Sequence, residues 1–320
     1  MKHAPKLLLA VAAACACGSA VAAYPDKPIH WIVPYPPGGT TDVIARNVAQ
    51  SMAELLGTSI VIENKAGAGG QIAMNAVAKA DGDGYTLLVS DASLATAPSL
   101  YKTLPFDPIK DMSAVALFVT VPHIVVVNPK VPVKNLAELI ALSKKEPSQI
   151  YFSSGGIGSP LHLAGEALRL ETGIAWTHVP YKGAGPAILA VVAGEAQVAT
   201  PSLPAALPQV QGGKLVALAV SSAKRVASLP DVPSIAEAGY PKAAAFGWVG
   251  LHAPVNAPKA VTEKLEAAAT QAMKGADLRK RMQDQGADIA AQSGVAYGKL
   301  VSDEAARWKA VVQAAGIKPE

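Results

Sequence analysis

Cysteine is nearly absent from the sequence. Its 320 residues hold two, Cys15 and Cys17, both close to the N-terminus. A lipid-modified cysteine wants Leu or a similar residue three places earlier, but Ala12 and Ala14 stand there. Strong charge of one sign is also missing, with 28 Lys+Arg against 24 Asp+Glu. No basic run is interleaved with aromatics, which argues against nucleic acid as a partner. Beyond the N-terminal segment no apolar run reaches the ~20 residues that span a bilayer, so a soluble product is expected. Three signatures of chemistry are absent too. No G-x-x-x-x-G-K-[ST] string occurs. A dinucleotide fingerprint starting at Gly67 or Gly156 would need glycine where Ile72 and Leu161 stand. The hydrolase elbow G-x-S-x-G is missing. The sequence therefore gives no ground for an enzyme, a cofactor or a thiolate metal site.

What is present begins with an export leader. Lys2 and Lys6 form a basic start, residues 7–14 a short apolar stretch, and Ala20-Val21-Ala22 an A-x-A cleavage site. Cleavage after Ala22 or Ala23 is expected, with residues 1–23 removed and the product released to the periplasm. Both cysteines leave with the leader, so the mature chain has no disulfide and relies on a packed core. Cleavage after Ala22 leaves 320 − 22 = 298 residues, enough for two lobes.

The remaining pattern is strand, loop, helix, repeated, which predicts a largely parallel sheet in each lobe. Strands are expected over 29–34, 59–63 and 85–90, with helices over 41–56 and 71–79. A second lobe is expected from residue 123, with a strand over 124–127. Asn135 and Glu138 form a capping box for a helix over 136–144. A strand over 150–152 then enters a glycine loop, where Ser159 as N-cap and Pro160 as first residue start a helix ending before Gly173. Further strands are expected over 215–220 and 247–251. The rest reads as helices over 261–273, 277–285 and 297–312, without strands of their own to cover. They are expected to pack back on the first lobe, giving lobe 1 as 24–122 plus 246–320 and lobe 2 as 123–245, joined by two crossover strands.

The two halves echo each other. Gly38-Gly39-Thr40 follows the first strand and Gly67-Ala68-Gly69-Gly70 the second; Gly155-Gly156-Ile157-Gly158-Ser159 and Gly183-Ala184-Gly185 repeat that plan in the second half. Loops at the carboxyl ends of strands are where open α/β sheets bind ligands. A helix start offers unpaired N–H groups and partial positive charge. Gly38, Gly39, Thr40 and Thr41 from one lobe and Gly156, Ile157, Gly158 and Ser159 from the other would bring two such ends to one cleft. Each loop alone could be only a tight turn; the pairing in an exported protein points to anion binding.

Other candidates are weaker. His162 and Glu166 share a helix face but are too few for a metal site, and His162 reads as a polar residue near the cleft rim. His178 reads as a core or rim histidine. Tyr181 and Lys182 sit at a strand end suited to ligand contact, with a solvated surface lysine as the alternative reading of Lys182. The four tryptophans read as core, and Arg279-Lys280-Arg281 as a wet helix face.

At these residues the chain resembles the solute receptors of tripartite tricarboxylate transporters, the Bug-type proteins. The resemblance runs from Tyr24-Pro25-Asp26-Lys27-Pro28 through Val33-Pro34-Tyr35-Pro36-Pro37-Gly38-Gly39, Glu63-Asn64-Lys65-Ala66-Gly67 and Asp83-Gly84-Tyr85-Thr86. It continues through His162-Leu163-Ala164-Gly165-Glu166, His178-Val179-Pro180-Tyr181-Lys182-Gly183 and Leu229-Pro230-Asp231-Val232-Pro233 to Ala314-Ala315-Gly316-Ile317-Lys318-Pro319. It implies an α/β, two-lobed Venus-flytrap fold of type II-like periplasmic binding proteins, with the ligand cleft between lobes that close by hinge motion.

The resemblance further implies that a ligand carboxylate is held by backbone and hydroxyl groups of residues 36–42 and 153–159, often through waters. Expected contacts are thus Pro37, Gly38, Gly39, Thr40, Thr41, Asp42, Ser153, Ser154, Gly156, Ile157, Gly158 and Ser159, with Ser90, His162, Tyr181 and Ser202 completing the set. Expected partners are a small organic carboxylate and, transiently, transporter membrane subunits, with the receptor a monomer. Many members carry a Phe-Asp or similar pair before the Leu-Pro that here is Leu203-Pro204. Thr200-Pro201-Ser202 offers no such carboxylate for a ligand ammonium, and Ile157 replaces a commonly polar residue. Both favour an amino-free mono- or dicarboxylate, aromatic and medium-chain acids among them. Two other classes stay open: a sensory subunit signalling to a membrane kinase, and a secreted hydrolase using His162 or His178 with Ser159.

Overall fold

The computed structural model describes residues 24–146 and 149–319. The expected leader and cleavage site lie outside the described residues. The first strand, β1 (Ile29–Val33), is apolar on both faces. Ile29, Trp31 and Val33 meet Ile44, Val48 and Met52 of helix α1 (Thr40–Leu56). Ile32 points the other way, towards Met74 of α2 (Gln71–Ala78) and Leu88 of β3 (Thr86–Asp91). The period-2 alternation of a strand thus sends successive residues into two cores, and the sheet becomes the middle layer of three. Each fully buried large side chain contributes about 1.5–3 kcal/mol relative to exposure.

Six strands form the first sheet, in the order β11-β4-β10-β3-β1-β2. Besides β1 and β3 these are β2 (Ile60–Asn64), β4 (Met112–Pro122), β10 (Phe246–Pro254) and β11 (Asp288–Ser293). The second sheet runs β7-β6-β8-β5-β9. It comprises β5 (Ile124–Val127), β6 (Tyr151–Ser154), β7 (Thr177–Pro180), β8 (Val198–Ala199) and β9 (Val216–Val220). Read from the β2 and β7 edges, the two orders correspond over five strands, and β11 is an extra strand at the far edge of the first sheet. In both, one strand that arrives from the other lobe, β10 or β5, is inserted beside β3 or β8. The echo between the glycine loops is therefore an echo of topology.

The sheets are mixed, not largely parallel. β1 pairs parallel with β2 and β3, but β10 pairs antiparallel with β3 and β4, and β11 with β4. In the second sheet β6 pairs parallel with β7 and β8, while β5 is antiparallel to β8 and β9. The chain leaves the first sheet along β4 and returns along β10, so its outgoing and returning strands oppose one another. The C-terminal region also contains a strand. β11 lies between α9 (Ala276–Asp284) and α10 (Gly294–Ala314) at the sheet edge. Its half-polar sequence Asp-Ile-Ala-Ala-Gln-Ser leaves little apolar signal.

Local rules hold elsewhere. The Asn135 side chain accepts from Glu138 N at 2.9 Å at the start of α4 (Leu136–Lys145), and Glu138 reaches Lys134 N at 2.7 Å. Ser159 caps α5 (Pro160–Thr172) by accepting from His162 N at 3.3 Å, and Gly173 ends it in the left-handed conformation. Where the chain passes between lobes, His123 N donates to Ala245 O at 3.3 Å and Ser221 N to His123 O at 2.8 Å. The His123 ring lies 2.8 Å from Thr200 O, and its burial pushes its pKa down. Among the described residues, no helix is long and apolar enough to cross a membrane.

Candidate functional site

The turn between β1 and α1 is held from inside by Asp42. Its carboxylate accepts from Gly38 N at 2.9 Å, from Arg46 Nε and Nη2 at 3.0 Å each, and from Asn64 Nδ2 at 2.8 Å. Burial alone would raise this carboxyl. The hydrogen bonds from Arg46, Gly38 and Asn64 outweigh that and hold it below the usual carboxylate range. Asp42, 2% exposed, is thus engaged in shaping the turn rather than offered to a ligand. Gly39, the N-cap, brings no capping side chain, so none covers the first-turn amides of α1. Asp42→Ala is expected to destabilise the protein by about 2–3 kcal/mol, since it strips several charge-assisted bonds from a buried turn. Urea unfolding would measure this, and an unchanged midpoint would contradict it.

The opposite turn, between β6 and α5, satisfies many of its own polar groups. Gly156 N donates to Ser154 Oγ at 3.2 Å, Ser159 N to Gly156 O at 3.2 Å, and Gly158 N to His162 Nδ1 at 3.0 Å. His162 must therefore keep Nδ1 unprotonated. Its ring stacks on His178 with centroids 4.0 Å apart, and His178 Nε2 lies 2.6 Å from Ser154 Oγ. Burial first, then His178 and Arg169, pushes His162 down to about 4. Sequence reasoning placed His162 at the cleft rim; the structure buries it behind the loop as a brace. Pro160 has no N–H to offer.

Three further expected contacts have their hydroxyls engaged elsewhere, and a fourth, Ser202, stands at a helix start. Ser153 Oγ donates to Ala187 O at 2.9 Å in the lobe-2 core. Ser90 Oγ lies 2.6 Å from His252 Nδ1 and 2.9 Å from the Tyr297 hydroxyl, fully buried. The Tyr181 hydroxyl faces Glu195, and burial and that carboxylate raise its pKa. Ser202 is the N-cap residue of α7 (Leu203–Gln211), and its backbone bridges to His123.

Sequence reasoning missed three residues beside these. Strand alternation turns Asp91 to the face opposite Ser90. Its carboxylate accepts from Ser93 N at 3.0 Å, from the Ser93 hydroxyl, from Thr41 Oγ1 at 3.4 Å, and from the Tyr35 hydroxyl. Burial raises its pKa despite these bonds, and it raises that of Tyr35 as well. β1 and β3 are neighbours whose connections leave in opposite directions, which makes their ends the switch point of the sheet. Asp91-Ala92-Ser93, where Asp91 accepts from the amide two residues on, was the available signal.

The lobes meet around a cavity of ≈ 250 Å³. Lobe 1 contributes Tyr35 and, on α3 (Ser93–Leu100) and just past it, Ser93, Thr96, Leu100 and Tyr101. The other wall is Ile157, Gly158, Ser159 and Pro160, and the tail residues Ile317 and Lys318 close a side. A Cβ on Gly158, whose φ is +73°, would stand 2.9 Å from Leu100 Cδ2, so the lobes touch here in a closed arrangement. Ile157 is 64% exposed. Gly38, Gly39 and Thr40 line a separate, wider opening of ≈ 600 Å³ opposite Pro204 and Ala205 of α7. The two glycine turns thus line different openings between the lobes, Gly38, Gly39 and Thr40 the wider one and Ile157, Gly158 and Ser159 the smaller. Pro37 precedes the second opening and is exposed.

Two lobes of matched topology, linked by opposed crossover strands and closed over a cavity, define a solute-binding protein of the two-lobed periplasmic type. The chain belongs to the tripartite tricarboxylate transporter family of receptors, whose description matches residues 44–317. It is 37% identical to Protein BugT of Bordetella pertussis (strain Tohama I) over 297 residues, 92% of this chain and 91% of that protein. A protein of R. palustris solved with adipate is 32% identical, with a TM-score of 0.83 over 93% of this chain and 100% of that one. MatC of Rhodopseudomonas palustris, solved with bound malate, is 33% identical, with a TM-score of 0.78 over 90% of this chain and 100% of that one. The family is one of transporter receptors, and a further solved relative, BugD, 34% identical with a TM-score of 0.79 over 93% of this chain, is a periplasmic binding protein.

Proposed function

We propose that this receptor captures an amino-free organic mono- or dicarboxylate between its lobes and hands it to transporter membrane subunits, acting as a monomer without cofactor. The observation that carries the reading is the composition of the inter-lobe cavity. Its described lining includes hydroxyls, the start of α5, the apolar Ile157 and one lysine, but no acidic side chain. A ligand ammonium would find no carboxylate there, while a carboxylate meets hydroxyls and a helix start. Asp91 is near, yet its oxygens are already taken by Ser93, Thr41 and Tyr35. The adipate and malate found in the two relatives are amino-free diacids and agree with this class. The expected contacts are Ser159, Gly158 and Ile157 from lobe 2 and the Tyr101 hydroxyl from lobe 1, since the Ser93 and Tyr35 hydroxyls already donate to Asp91 and that of Thr96 to Ser93 O.

A thermal-shift screen against diacids, monoacids, amino acids, sugars and phosphates tests the reading. Ligand at a hundredfold its Kd stabilises by about 2.7 kcal/mol, a rise of several degrees at about 2–4 °C per kcal/mol. Shifts confined to amino-free acids are expected. A larger shift with glutamate or aspartate than with amino-free diacids would overturn it.

A further inference from the structure

The C-terminal tail forms one side of the inter-lobe cavity and carries a positive charge to it. α10 ends in a reversing turn: Gly316 adopts φ +68°, its N–H donates to Gln313 O at 3.1 Å, and Ile317 N donates to Val312 O at 3.1 Å. Glycine tolerates this left-handed position, and the apolar residue after it folds back on the helix it terminates. Ile317 packs with Trp308, Val312 and Leu100 of lobe 1 on Leu163 and Ala164 of α5. The tail is thereby pinned to both lobes when they are closed. Lys318 is the next residue and lines the cavity beside Ile317. Among the described residues that line it, Lys318 alone is charged.

We infer that Lys318 is the counter-charge for the second carboxylate of a diacid and so a determinant of preference for diacids over monoacids. The inference rests on the reading of this cavity as a carboxylate site. One carboxylate lies against the start of α5, on the wall of Ile157, Gly158 and Ser159. The other end of the ligand is then directed away from that wall, and an ammonium on a pinned tail is the partner the cavity offers it. An ammonium on a flexible stem can follow acids of somewhat different length. A monoacid, whose far end is apolar, gains nothing from it.

The test is calorimetric titration of the protein and of Lys318→Gln and Lys318→Arg with straight-chain diacids from succinate to suberate, beside the monoacids of equal length. The protein is expected to prefer diacids. Lys318→Gln should weaken the preferred diacid by about ten-fold or more while leaving the matching monoacid within about two-fold, and Lys318→Arg should retain most of the preference. Lys318 is exposed, so the unfolding midpoint without ligand should not move. Equal loss for diacid and monoacid, or no loss for either, overturns the inference while acid binding itself stands. Failure of the unsubstituted protein to bind any acid overturns both it and the reading beneath it.

Discussion

Phe152→Ala is expected to cost about 3–5 kcal/mol and to remove ligand capture along with the fold of lobe 2. The ring is fully buried and stacks on Trp176 with centroids 4.5 Å apart, while His178 lies 5.7 Å away on the same side chain. His178 in turn stacks on His162, which receives the amide of Gly158. The aromatic column therefore supports the turn that forms one wall of the cavity. The opposite change is informative too. A Cβ on Gly165 would stand 2.1–2.8 Å from three ring carbons of Phe152, whose ring is already stacked on Trp176. Gly165→Ala is expected to cost about 1–3 kcal/mol or more through overpacking. Shortening the ring in a Phe152→Leu background should recover part of that loss. Urea unfolding of the four variants gives the coupling, and strict additivity would show that the contact is not what fixes glycine at 165.

Acid is expected to destabilise the protein well before its carboxylates titrate. His252 is buried, its Nδ1 lies 2.6 Å from Ser90 Oγ, and burial lowers its pKa to about 3. Burial lowers that of His162 to about 4. In the unfolded chain both take up protons near pH 6.5. Below that pH the unfolded state binds protons that the folded state refuses, so stability falls until the folded pKa is reached. For His252 the full window is worth about 4–5 kcal/mol, and for His162 about 3 kcal/mol. His123 and His178, lowered mainly by burial, act in the same direction. Asp91 and Glu304, whose carboxyls burial raises, act against it by taking up protons more readily when folded. Denaturant unfolding between about pH 7 and pH 4 should show the decline, with a shallower slope in His252→Asn. A flat profile from pH 6.5 to pH 4 would mean that these rings titrate normally in the fold.

Much of the fold was legible because local chemistry marked it. Asn135 with Glu138, Ser159 before Pro160, and Gly57 and Gly173 at helix ends each marked a helix boundary that the structure places within a residue or two. Signals failed where no face is left to water. α3 is buried nearly all round and contains Pro98, so it has neither amphipathic period nor clean helix composition. β4 is eleven residues of mostly buried chain with shifts in its register with β10, and it ends where the chain leaves the first sheet for the second. β11 failed for the opposite reason, as an edge strand that buries little.

The same division runs through the candidate site. The sequence by itself determined the two glycine turns, the helices they start and the correspondence between the halves, because backbone conformation and capping are set within a few residues. Which side chains face the cavity was decided by tertiary structure. Ser90 and Asp91 are adjacent, yet the pleat sends one to the core and the other to the switch point. Asp42 and His162 belong to the turns, yet their polar atoms are consumed in holding them. Lys318, far from either loop in sequence, reaches the cavity because a reversed helix end carries it there. Those outcomes depend on packing between segments remote in the chain, which no local pattern encodes.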